Sequence, residues 1–129
     1  MEKVEEEYRK KLSIDQYRIL REKATEMAFS GKYYNHFEQG CYRCAACGNL
    51  LFLSTEKFAS PCGWPSFSKA RVGSIKLVPD NSLGMMRTEV LCANCSSHLG
   101  HLFPDITSKS GQRYCINSLA LNFSEKCSL

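Results

Sequence analysis

Two short cysteine pairs constrain this chain more than any other feature. Cys44-Ala45-Ala46-Cys47 and Cys92-Ala93-Asn94-Cys95 each hold two thiols separated by two residues. A turn of this kind aims two thiolates at one tetrahedral metal, and a second turn completes the four ligands. About 44 residues lie between the pairs, so a shared ion would pin together distant parts of the chain. Four sulfurs leave no coordination position open, which makes the expected Zn2+ structural. The competing set, Cys92, Cys95, His98 and His101, would strand Cys44 and Cys47 and crowd three two-residue gaps around one ion.

The length of 129 residues is read as a single domain, 1–129. A chain of this size buries a moderate core, and a metal clip adds materially to its stability. Its net charge of +4 comes with no basic run interleaved with aromatics, which argues against a nucleic-acid partner. No apolar run approaches the roughly 18 residues of a membrane span. The acidic start, Met1-Glu2-Lys3-Val4-Glu5-Glu6-Glu7, resembles neither a secretory signal nor a transit segment, so a cytoplasmic location is expected. Eight cysteines in a reducing compartment point to metal binding and thiol chemistry over a permanent disulfide framework.

Residues 1–35 read as a helical N-terminal extension. Ser13 and Gln16 have the spacing of a capping box, and Tyr17, Leu20 and Ala24 follow at helical spacing. An earlier helix is expected over about 4–12. From 41 to 124 the texture becomes that of a braced β core: short apolar or alternating runs at 50–53, 71–78, 85–91, 98–103 and 114–123, punctuated by turn signals such as Pro79-Asp80-Asn81.

Chemistry concentrates in three places outside the cysteine pairs. Arg113, Cys115 and Asn117 fall on one face if their segment is a strand, which sets a guanidinium beside a sulfur and favours the thiolate. The opposing reading is a small core residue near a surface arginine. His98 and His101, near Asp105, are candidate proton donors, and Gly100 permits a bulge that turns both imidazoles to one side. The third place is Cys62-Gly63-Trp64-Pro65-Ser66-Phe67, a turn-rich loop holding the only tryptophan. It either walls a pocket or closes the core.

Taken in order, Tyr42-x-Cys44-x-x-Cys47-Gly48, Gly63-Trp64-Pro65-Ser66-Phe67, Arg87-Thr88-Glu89-Val90-x-Cys92-x-x-Cys95, His98-Leu99-Gly100-His101-x-Phe103-x-Asp105 and Arg113-Tyr114-Cys115-Ile116-Asn117-Ser118 resemble the B-type methionine sulfoxide reductases, which act on the R epimer. The likeness begins at Leu12-Ser13 and covers nearly the whole chain. It implies a mainly β fold of two antiparallel sheets in a tent-like, zinc-braced arrangement with N-terminal helices packed on it. It implies Cys115 as nucleophile and Cys62 as resolving thiol, with a thioredoxin-like dithiol as reductant of their disulfide. His98, His101, Asp105 and Asn117 would handle water and a proton, Arg113 would stabilise the thiolate, and Trp64, Phe67 and Phe103 would grip the substrate. The implied substrate is methionine R-sulfoxide in proteins or peptides.

Pro61 departs from the pattern, since many relatives have glycine before the resolving cysteine. Cys127 and Cys41 are therefore alternative partners for Cys115. A zinc-binding chaperone-like or interaction module of the same fold, needing the four metal cysteines but not Cys115, is the rival function. A monomer is expected by default.

Overall fold

The computed structural model describes residues 2–127, with side chains from residue 5 onward. Two helices lead: α1 (Glu2–Lys11) and α2 (Ile14–Glu22). The capping box forms as its residues require: the Ser13 hydroxyl accepts the Gln16 N–H at 3.1 Å, and Gln16 Oε1 accepts the Ser13 N–H at 3.0 Å. Ile19 and Leu20 are the buried residues of α2, and Arg21 on the same helix donates to the Cys95 carbonyl at 2.7 Å. That bond fastens the helix to the second cysteine turn.

The helical part is shorter than the 1–35 read from the sequence. Lys23 adopts a left-handed conformation (φ 60°), and the Ala24 N–H closes the last turn onto the Arg18 carbonyl. From there the chain gives its polar groups to the β core instead of to itself. The Glu26 N–H donates to Asn117 Oδ1, and the Phe29 N–H donates to the Gly63 carbonyl. Tertiary partners override the local helical spacing here.

Nine strands follow among the described residues: β1 (Cys41–Cys44), β2 (Leu50–Leu53), β3 (Lys57–Phe58), β4 (Ser66–Phe67), β5 (Ile75–Asp80), β6 (Arg87–Cys92), β7 (His98–Pro104), β8 (Gln112–Ile116) and β9 (Leu121–Ser124). They form two antiparallel sheets, β2-β1-β9 and β3-β4-β8-β7-β6-β5. The mainly β architecture with two antiparallel sheets and N-terminal helices is thus the one expected. Tyr42, Leu51, Phe52 and Leu121 of the smaller sheet and Phe67, Val90, Leu99 and Ile116 of the larger are buried in one cluster. Phe52 stacks on Phe67 with ring centroids 4.3 Å apart.

Two strand readings change. Pro79 does not end its strand but pairs with Thr88, because β5 is the sheet edge and an edge strand tolerates a missing N–H. The run read as one strand over 114–123 breaks into β8, a single turn at Ser118–Ala120, and β9. Its first half joins the large sheet and its second half the small one. The break begins at Asn117, whose side chain is committed to Leu99 and Glu26.

Candidate active site and metal cluster

The first CxxC turn joins β1 to β2 and the second joins β6 to β7, so each sheet contributes one knuckle. The turns are built alike. Cys44 N–H donates to the Asn49 carbonyl and Gly48 N–H to the Cys44 carbonyl; Cys92 N–H donates to the Ser97 carbonyl and Ser96 N–H to the Cys92 carbonyl. Gly48 and Ser96 hold the same left-handed position, with φ of 83° and 63°. Glycine occupies that region without strain and serine does not. Ser96→Gly is therefore expected to raise stability by about 0.5–1 kcal/mol, read as a shifted urea midpoint at unchanged m value.

All four sulfurs lie within 4.8 Å of one another, with Cys44–Cys95 at 3.7 Å and Cys47–Cys92 at 3.6 Å. A tetrahedron with metal–sulfur bonds of about 2.3 Å has edges of about 3.8 Å, so the donor set fits such an ion. Hydrogen bonds to Cys92 and Cys95, with burial, push the Cys44 thiol far up. Packed this closely, four thiolates repel one another and need a cation between them. Among the described residues this is the one group of three or more His, Cys, Asp or Glu side chains arranged to hold a metal. His98 and His101 lie outside it, which removes the competing local set.

A second constellation forms where β4, β7 and β8 meet. Cys115 faces His101 across the β7–β8 pairing and Ser66 across β4–β8. Cys115 Sγ and Cys62 Sγ are 3.9 Å apart. The expected bulge exists: Val90 pairs with Gly100 but Leu91 pairs with His98, so Leu99 is the extra residue. It sets the two imidazoles 5.4 Å apart between ring centroids. Gly100 is needed for another reason, because a Cβ there would meet the Cys115 carbonyl oxygen at 2.0 Å.

A cleft of about 90 Å³ opens over this group, lined by Thr25, Trp64, Arg87, Gly100, His101, Phe103, Cys115 and Asn117. Five of the residues picked from the sequence therefore line it: Trp64, His101, Phe103, Cys115 and Asn117. The rest sit around them. Arg113 donates to Asp105 at 3.1 Å and lies 5.2 Å from the Phe103 ring centroid. Asp105 also accepts from the Thr107 N–H and hydroxyl, which makes it an anchor for Arg113 behind the cleft. His98 is buried, with Nδ1 at 2.8 Å from Glu89 Oε2, and burial first of all lowers its pKa. Phe67 is fully buried against Phe52 and Tyr42, so it backs the core and does not line the cleft. Strand alternation explains this: Ser66 is the β4 residue paired with Cys115, and its neighbour Phe67 points to the other face. Asn117 has its amide engaged on both sides, accepting from Glu26 N–H and donating to the Leu99 carbonyl.

The two neighbouring thiols share their ionisation. The hydrogen bond from Cys115, then the hydroxyls of Ser60 and Ser66, bring Cys62 down to about 4 despite burial. The same bond and burial push Cys115 up, against the pull of Arg113. One proton is thus lost easily and the second with difficulty, as for any two like groups at contact.

Two acidic residues escaped the sequence reading. Asp80 accepts from His101 Nε2 at 2.7 Å and holds Arg87 at 3.5 Å. Glu26 is buried, accepting the Leu119 N–H, while its carbonyl accepts the Trp64 indole N–H at 3.1 Å. Asp80 lies 21 positions from His101 and Glu26 lies 38 from Trp64, so no local motif announced them. Asp80→Asn is expected to lower kcat by roughly 10- to 100-fold, less than the about 10²- to 10⁴-fold of a whole acid–base contribution because His101 itself remains, with KM little changed. Steady-state kinetics check this.

The sequence profile of the SelR domain matches residues 12–125. The chain belongs to the SelR family, that of the B-type methionine sulfoxide reductases. It is 56% identical over 125 residues to the peptide methionine sulfoxide reductase MsrB of Bradyrhizobium diazoefficiens, covering 96% of this chain and 90% of that one. The protein of the same name from Thiobacillus denitrificans is 52% identical over 125 residues, covering 96% and 95%. That of Methanosarcina barkeri is 51% identical over 124 residues, covering 95% and 87%. The family's match spans both cysteine knuckles and all the residues of the cleft.

Proposed function

We propose that this chain reduces methionine R-sulfoxide in proteins or peptides, with Cys115 as nucleophile and Cys62 as resolving thiol. The observation that carries the reading is the pair of sulfurs 3.9 Å apart beneath a cleft lined by Trp64, Phe103 and His101. The aromatic walls hold the methyl group, and Cys115, passing its proton to the neighbouring Cys62 sulfur, attacks the sulfoxide sulfur. The sulfoxide oxygen passes to Cys115 and takes up a proton, methionine leaves, and the cysteine becomes a sulfenic acid. His101, oriented by Asp80, supplies that proton. Arg113, held by Asp105, favours the anionic sulfur. Asn117 holds the Glu26 segment and, through it, the Trp64 wall.

Cys62 then attacks the sulfenic sulfur, water departs, and a Cys62–Cys115 disulfide forms. Closing from 3.9 Å to a bond of about 2.05 Å needs only a local shift of the 61–65 loop. A thioredoxin-like dithiol returns both cysteines to thiols by exchange. Zn2+ is the ion proposed for Cys44, Cys47, Cys92 and Cys95, where it would tie the two sheets together and take no part in the redox step. No helix among the described residues is long and apolar enough to cross a membrane. A cytoplasmic monomer is proposed with it.

The test is a peptide carrying the separated sulfoxide epimers, followed by chromatography with dithiothreitol as reductant. The R epimer is expected to be consumed and the S epimer left. Consumption of the S epimer alone, or of neither, overturns the proposal. Binding of unfolded protein without turnover would favour the chaperone-like module instead.

A further inference from the structure

Cys41 and Cys127, the remaining cysteines, are engaged by neither the cleft nor the metal cluster. Cys41 opens β1 directly opposite Ser124 of β9 and is fully buried. After Ser124 the chain curls: the Ser124 hydroxyl donates to the Lys126 carbonyl at 2.8 Å and accepts the Lys126 N–H at 3.2 Å. That turn returns residue 127 to the strand it has just left. Both thiols donate to one oxygen, the Ser124 carbonyl, Cys41 Sγ from 3.6 Å and Cys127 Sγ from 3.9 Å. The sulfurs cannot be farther apart than those two distances combined. Cys127 is half-buried and lines a surface groove with Gln39, Gly40 and Glu125, whereas Cys41 has no exposure of its own.

We propose that Cys41 and Cys127 form a second redox dithiol, a modification site separate from the Cys62–Cys115 pair, which hydrogen peroxide converts to a disulfide. The accessible partner reacts first. Cys127 attacks a peroxide oxygen, the O–O bond breaks, and a sulfenic acid and one water result. The Cys41 sulfur then attacks the Cys127 sulfur, the S–O bond breaks, and the hydroxyl leaves as a second water with the Cys41 proton. Two thiols lose two electrons in total, and one peroxide takes them up. Burial, with the Cys127 thiol hydrogen-bonded to it, pushes the Cys41 thiol up to about 11, which suits the second role better than the first. The bridge would fasten residue 127 to β1 and close a loop over nearly all of the β core.

The protein is reduced, given at least two equivalents of hydrogen peroxide, one for each dithiol, alkylated under denaturing conditions and digested with trypsin without reductant. The expected product joins the peptide spanning 33–43 to that spanning 127–129, two hydrogens lighter than the free pair. Cys127→Ser should lose this product and return Cys41 fully alkylated. Because the bridge restrains the unfolded chain, the oxidised protein should melt about 5–15 °C above oxidised Cys127→Ser, which keeps the Cys62–Cys115 bridge but lacks this one. Recovery of Cys127 alkylated, as a sulfinic acid, or linked to any cysteine but Cys41, at a dose that has already bridged Cys62 to Cys115, would sink the proposal. If Cys62 and Cys115 also fail to bridge under turnover, the catalytic reading fails separately.

Discussion

Replacing Cys115 by serine is expected to remove sulfoxide reduction almost entirely, by about 10³-fold or more in kcat. A serine hydroxyl is far less ionised and less nucleophilic than a thiol near neutral pH. The loss should appear with dithiothreitol as well as with thioredoxin, because it precedes the reductant. Cys62→Ser should behave differently. A single turnover, measured as one methionine per enzyme in the absence of reductant, should persist, while steady turnover with thioredoxin should fall by about 10²-fold or more because no disulfide forms. Dithiothreitol should restore part of it by attacking the sulfenic acid directly. Substrate added without reductant should leave a Cys62–Cys115 bridge in the wild type, located by mass spectrometry. Unchanged turnover in Cys115→Ser, or a Cys115–Cys127 bridge, would contradict the assignment of these two sulfurs.

Removing the metal is the second large effect. The four sulfurs belong to turns in different sheets, and an ion held by all four would join those turns. Without it, close-packed thiols must keep their protons, and the clip between the sheets is gone. Binding energy at a structural site of this kind is folding energy, about 10 kcal/mol or more near neutral pH, comparable to the whole stability of a typical domain. Cys47→Ser or Cys95→Ser should therefore yield protein that is largely unfolded, or that unfolds at much lower urea concentration. A strong chelator should do the same to the wild type, with one zinc released per chain. Circular dichroism alongside elemental analysis reads both. A fully folded, active, metal-free protein would refute the role given to the cluster.

Much of this site was legible before any coordinates. Each CxxC pair is self-contained, and its turn is dictated by a few neighbouring residues, as the matched hydrogen bonds after Cys44 and Cys92 show. The Ser13–Gln16 cap and the Leu50–Leu53 strand were local signals too, and both form as read. Phe67 was misplaced because a motif lists residues without saying which face of a strand each occupies. The helical extension was overextended because spacing at Ala24 could not reveal that the Glu26 and Phe29 N–H groups bond to Asn117 and Gly63 instead.

By itself, the order of residues determined the four-cysteine cluster and the β character of residues 41–124, since these depend on side-chain type and short-range geometry. Only the folded chain decided which thiol meets Cys115 and which acid holds His101. Cys62 and Asp80 arrive there from 53 and 21 positions away along the chain, by strand pairing and sheet packing. Such long-range closure is set by how the whole core packs, so no stretch of sequence carries it alone.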